Sequence, residues 1–138
     1  MIRMIERFSI KVTGQALHGF TRQLEHIVID SDLGEGLCTL FIRHTSASLL
    51  IQENADPSAK YDLEQWLNRL VPENDPLYTH TLEGSDGMPA HIKAALTASS
   101  LSIPFQRGRL LLGTWQGVYL WEHRYYSGAR EVVMHLSN

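Results

Sequence analysis

The chain has a single cysteine, Cys38, among its 138 residues. One thiol excludes an internal disulfide framework and a cysteine-built zinc site. Cys38 stands in the apolar run LCTLFI, where it reads as a small buried hydrophobe. Long hydrophobic runs are also missing. Nothing approaches the roughly 20 apolar residues that a membrane-spanning helix needs, so no membrane partner is expected. The opening MIRMIERFSIKV is charged throughout and lacks a signal peptide's apolar stretch, so a cytoplasmic protein is expected. Nor is there a basic cluster. Twelve Lys and Arg face fifteen Asp and Glu, for a net charge of -3, which leaves no electrostatic footprint for nucleic acid. A G-x-S-x-G elbow, a P-loop and a dinucleotide fingerprint are absent. Without a linker, internal repeat or low-complexity tract, residues 1–138 are expected to form one domain.

What is present is a mixed pattern of strands and helices. Phe8, Ile10 and Val12 alternate with polar residues and predict a half-buried strand. Phe20, Leu24, Ile27 and Val28 keep helical spacing and predict a helix of about three turns. LCTLFI and ASLLI, separated by RHTS, predict a hairpin with His44 and Thr45 at its tip. Asp56-Pro57 opens a second helix, since Asp can cap free N–H groups and Pro suits the first helical position. Leu63, Trp66, Leu67 and Leu70 form its apolar stripe, and Pro72 stops it. After the polar loop PENDPLYTHTLEGSDG, a third helix is expected from Pro89, with Met88, Ile92, Ala95 and Leu96 inward. The last third predicts three strands: SIPFQ, RLLLGTWQGVYLWE and REVVMHL. Strands clustered at the end argue for an α+β fold over a doubly wound parallel sheet. Three helices cover little sheet, so a second subunit is expected to cover one sheet face.

Candidate chemistry concentrates in two stretches. Around ASLLI stand His44, Thr45 and Ser46 on one side and Glu53, Asn54 and Asp56 on the other. Capping alone accounts for Asp56. Acidic and amide groups directly after a core strand are costly if buried without partners, which singles out Glu53 and Asn54. The second stretch is THTLEGSDGMPAH, with His80, Glu83, Asp86 and His91. Two histidines and two carboxylates in one loop can reach one metal ion or one polar ligand. The spacing matches no standard zinc signature. Equally, His80 can be an ordinary loop residue, and His91 a first-turn residue bonded to backbone. Lys93 follows on the same helix as a solvated lysine or a ligand contact. Gln116, in GTWQG, is a candidate contact because its amide both donates and accepts.

These stretches resemble the YjbQ family. The resemblance rests on HTSASLLIQENADP (44–57), Asp62, Pro72, His80 with Glu83-Gly84, AHIKAAL (90–96), GRLLLGTWQG (108–117), Glu122 and Arg130. Family members often carry Asn where this chain has Ser85. The resemblance implies a two-sheet α+β sandwich with about three helices, assembled as a homotrimer with its site near a subunit boundary. It also implies weak secondary thiamine-phosphate synthase activity, which joins hydroxymethylpyrimidine diphosphate to thiazole phosphate and releases pyrophosphate. On that basis His80, His91, Glu53 and Asp56 are expected to be catalytic. His44, Thr45, Ser46, Asn54, Lys93, Gln116 and Arg130 are expected to bind the phosphorylated substrate. His80, His91, His44 and Glu83 are the expected ligands of a divalent ion, Mg or Zn. A metal-dependent hydrolase or transferase of another phosphorylated metabolite, and a binding protein without turnover, are the alternatives.

Overall fold

The computed structural model describes residues 3–138. The elements run β1 (Arg3–Thr13), β2 (Ala16–Gly19), α1 (Thr21–Asp30), β3 (Gly36–Ile42), β4 (Ala47–Glu53), α2 (Pro57–Leu70), α3 (Gly87–Leu96), β5 (Ser100–Gln106), β6 (Arg109–Leu110), β7 (Gln116–Glu122) and β8 (Ser127–Ser137). They form a five-stranded sheet, β1-β8-β3-β5-β6, and a three-stranded sheet, β2-β7-β4. All strand pairings are antiparallel. The α+β expectation, with two sheets and three helices, agrees with this architecture.

The main core lies between the sheets. Alternation along each strand supplies it: Ile10 and Val12 from β1, Cys38, Leu40 and Ile42 from β3, Val132, Met134 and Leu136 from β8. Leu49, Val118 and Leu120 face them from the smaller sheet, and α1 seals one end with Leu24 and Val28. Burial pushes the Cys38 thiol up to about 12, which keeps it an inert apolar filler. The opposite face of the smaller sheet packs Leu17 and Trp121 against Leu67, Val71, Leu63 and Ile92 from the helical layer. Strand β7 is thus buried on both faces, which accounts for its near-continuous apolar sequence.

Several local expectations are corrected. β3 and β4 do not form a hairpin: β3 pairs with β5 and β8, while β4 pairs with β7. The RHTS link, bent at Thr45 and Ser46, carries the chain from the larger sheet to the smaller one instead of turning it back onto β3. The run 109–122 breaks into β6 and β7 around an irregular stretch. On α2 only Leu67 is fully buried, while Trp66 and Leu70 are exposed. On α3, Leu96 points outward and Lys93, at 3% exposure, points inward. That lysine is tolerated because its Nζ donates to Asn68 Oδ1 at 2.6 Å, tying α3 to α2.

Candidate functional site

The histidines of the polar loop converge. His80 Nε2 lies 2.6 Å from Glu83 Oε1, and the His80 and His91 rings are 5.2 Å apart. One ligand atom from each of His80, Glu83 and His91 fits within a 4.8 Å group. His91 belongs to the second turn of α3, and its Nδ1 lies 3.0 Å from the Thr45 carbonyl oxygen. A carbonyl only accepts, so Nδ1 carries the proton and donates. Nε2 is then the ring nitrogen not engaged by Thr45, and a His91 ring nitrogen falls within the group with His80 and Glu83. Metal-binding imidazoles are commonly oriented in this way, by a carbonyl or carboxylate on the other nitrogen. Two imidazoles and a carboxylate suit zinc or a neighbouring transition ion better than magnesium, which prefers oxygen.

A guanidinium braces this group. Glu83 Oε2 accepts from Arg124 Nη1 at 3.3 Å, and the Glu83 carbonyl from Nη2 at 2.7 Å. Arg124 Nε donates to Asp86 Oδ2 at 2.9 Å, and the same oxygen accepts the Tyr125 backbone N–H at 2.8 Å. The neighbouring His80 holds Glu83 below the usual carboxylate range, aided by Arg124 against partial burial. Burial pushes Asp86 the other way, but its bonds to Tyr125 and Arg124 hold it low as well. Both acids are therefore anionic at neutral pH. Beside them, fully buried Glu122 receives Arg130 through Nε at 2.5 Å and Nη2 at 2.7 Å. Arg130 Nη2 also donates to Ser46 Oγ at 3.2 Å, and the guanidinium stacks 4.6 Å over the Tyr126 ring.

His44 stands apart from the His80–Glu83–His91 group. Its Nε2 accepts the Glu131 backbone N–H at 3.2 Å and its Nδ1 is 3.4 Å from Arg130 Nη1. Burial, then the Arg130 charge, lowers its basicity, so it is neutral and engaged in orienting the Arg130 region.

The residues expected after ASLLI occupy another place. β4 runs from Ala47, opposite Glu122, to Glu53, opposite Gln116. Six residue steps separate its ends by ~20 Å. Thr45 and Ser46 join the histidine group at one end, while Glu53, Asn54, Asp56 and Gln116 gather at the other. There Asn54 Nδ2 donates to the Gln116 carbonyl at 3.2 Å, and the Gln116 side chain accepts the Gly113 N–H at 2.7 Å. Asp56 Oδ1 accepts from Ser58 N at 2.9 Å and Ser58 Oγ at 2.8 Å, capping α2. One chain therefore brings together His80, His91, Glu83, Ser46 and Arg130, and leaves Glu53, Asp56, Asn54 and Gln116 at the opposite end of the strand. Lys93 faces Asn68. Arg124 and Glu122 were not among the expected site residues. Glu122 is the fully buried partner of Arg130 and Arg124 bridges Asp86 and Glu83, relations that emerge only in three dimensions.

Two hollows flank the group. One of about 300 Å³ is lined by Ser46, Asp86, Arg124, Tyr125, Tyr126 and Arg130. A smaller one of about 160 Å³ is bordered by His80, Tyr78, Met88 and Pro89 among others.

Comparison with known proteins gives a consistent result. The UPF0047 protein YjbQ-like family matches residues 6–138. A UPF0047 protein of Synechocystis sp. is 53% identical over 128 residues, 93% of this chain and 87% of that protein. The UPF0047 protein YjbQ of Escherichia coli O157:H7 is 42% identical over 117 residues, 78% of this chain and 84% of that one. A crystal structure of an uncharacterized YjbQ/UPF0047 protein from Clostridium acetobutylicum superposes with a TM-score of 0.87 at 33% identity, covering 96% of this chain and 99% of that one.

Proposed function

The chain belongs to the YjbQ-like UPF0047 family, and from that premise we propose that it is a cytoplasmic, metal-dependent enzyme acting on a phosphorylated small molecule, with slow synthesis of thiamine phosphate as its reaction. The observation that carries the reading is the convergence of His80, Glu83 and His91 within 4.8 Å, with the His91 lone pair freed by the Thr45 carbonyl.

In the reaction, the thiazole nitrogen attacks the pyrimidine methylene carbon. The carbon–oxygen bond to diphosphate breaks, and pyrophosphate leaves with the electron pair. No protein nucleophile is needed. His80, Glu83 and His91 would hold a divalent ion, which when bound would supply charge neutralisation for the departing phosphate oxygens. Arg124 fixes Glu83 through side chain and backbone and so sets the carboxylate's direction. Arg130, held by Glu122, presents its edge with Ser46 toward the larger hollow. The smaller hollow beside His80 offers Tyr78, Met88 and Pro89 to an organic ring.

The test is to assay product formation from both substrates with chelator-treated protein, before and after returning zinc, manganese or magnesium. The reading predicts product only with metal, and a loss of about 10²–10³ in rate for His91→Ala. Turnover unaffected by chelation and by His91→Ala would overturn it. Hydrolysis of the diphosphate without joining would shift the assignment to a hydrolase.

A further inference from the structure

We propose that the hollow between Arg124 and Arg130 is a phosphate subsite that opens to anions only when a divalent ion occupies His80, Glu83 and His91. This rests on the metal-dependent reading above and deepens it, because it fixes where the phosphoryl group binds and in which order the ligands enter.

Two guanidiniums at this site face three carboxylates, Glu83, Asp86 and Glu122, so the group carries an excess of one negative charge. The guanidiniums are also committed. Arg124 gives Nε to Asp86, Nη1 to the Glu83 carboxylate and Nη2 to the Glu83 carbonyl. Arg130 gives Nε and Nη2 to Glu122. A dianionic phosphate entering this hollow meets arginines whose charge is already spent. Arginine clusters bind phosphate through free forks, and these forks are closed.

Thr45, whose carbonyl orients His91, is followed directly by Ser46, which lines the hollow. Glu83 spans the two places itself, with Oε1 toward His80 and Oε2 toward Arg124. Asp86, three residues on, lines the hollow. A divalent ion on the three ligands changes the local balance from one excess negative charge to one excess positive charge. An ion on Oε1 also withdraws charge from the Glu83 carboxylate, which weakens the 3.3 Å bond from Arg124 Nη1 to Oε2 and leaves that N–H more available to an anion in the hollow.

The expected coupling is large. A full charge about 6 Å from a phosphate oxygen, at the intermediate dielectric of a partly buried site, corresponds to on the order of 100-fold in affinity. The experiment uses the whole chain, first freed of metal and then loaded with one equivalent of Co²⁺, with inorganic phosphate as the probe. Calorimetry gives the affinity, and the ³¹P line width reports whether phosphate lies beside the paramagnetic ion. The proposal predicts phosphate binding at least about 100-fold tighter to the Co²⁺ form, with a broadened ³¹P line. It also predicts that Arg124→Gln loses most of that gain. Should that variant fail to fold, the wild-type comparison still decides. Equal phosphate affinity with and without Co²⁺, or tight binding with an unbroadened line, would overturn the subsite while leaving the metal reading intact. Failure to bind Co²⁺ at all would overturn both.

Discussion

The His91 side chain shows how much one hydrogen bond decides. Its Nδ1–H is fixed by the Thr45 carbonyl, and this leaves Nε2 as the nitrogen available to a ligand. The cluster was legible in the sequence because His80, Glu83 and His91 fall within one short stretch, and a helix start brings such a stretch back on itself. Arg124 was not legible, because it reaches Glu83 across 41 positions from another element. His123 makes the same point in the apolar layer. It is 1% exposed, lies 2.9 Å from Ser48 Oγ, and is pushed down to about 3 by burial and by the charges of Lys93 and Arg130. Unfolded, the imidazole titrates near its ordinary value of about 6.5. The unfolded chain therefore takes up a proton that the folded chain refuses. Stability is fully retained above about pH 6.5 and is lost as pH falls toward 3, at up to about 1.4 kcal/mol per pH unit. Chemical denaturation of wild type and His123→Gln between pH 4 and 6 should show the variant's slope shallower by about one proton. Parallel slopes would mean that His123 does not drive the acid sensitivity.

At the scale of elements, β4 organises the molecule's polar chemistry by separating it. The strand was recognisable from ASLLI, and so were the polar groups at both of its ends. The sequence does not show that a strand of seven residues holds those ends apart, because a list of neighbours along the chain carries no direction. The hairpin expectation failed for a related reason: spacing along the chain does not say which strands pair, and β3 finds its partners in β5 and β8 while β4 pairs with β7. Asp56 offers the cleanest test of this separation. Its carboxylate is held below the usual range by the Ser58 backbone N–H and hydroxyl that it accepts. Asp56→Ala should lower Tm by a few degrees through loss of the cap, and Asp56→Ser should recover most of that loss. Neither variant should change metal content per folded chain. A metal loss in Asp56→Ser at full stability would place Asp56 in the ion's coordination after all.

The whole molecule is a sandwich with one face left open. α2 and α3 cover the outside of the three-stranded sheet, but the outer face of the five-stranded sheet exposes Ile5, Leu37 and Phe41. Leu77 and Leu82, at 86% and 100% exposure, stand out from the loop that carries His80. Apolar groups so exposed favour association, and the assembly we propose is a homotrimer. Light scattering at micromolar concentration should give about three times the 15.7 kDa chain mass, and Phe41→Glu with Ile5→Glu should reduce it. A wild-type mass of one chain would contradict the prediction. Strand alternation and helix spacing gave the α+β class, while the two-sheet layering came from the family resemblance. The uncovered face was readable only as a shortage of helices, since a sequence does not say which of two sheet faces stays open.

The proposed function stands on one divalent ion held jointly by His80, Glu83 and His91. A Co²⁺ titration of metal-free protein, followed by visible absorption and elemental analysis, tests this directly. Saturation is expected at one ion per chain, with the spectrum abolished by His91→Ala, strongly altered by Glu83→Gln and unchanged by Asp56→Ser. An identical spectrum and stoichiometry in His91→Ala, or no Co²⁺ uptake by the wild type, would contradict it.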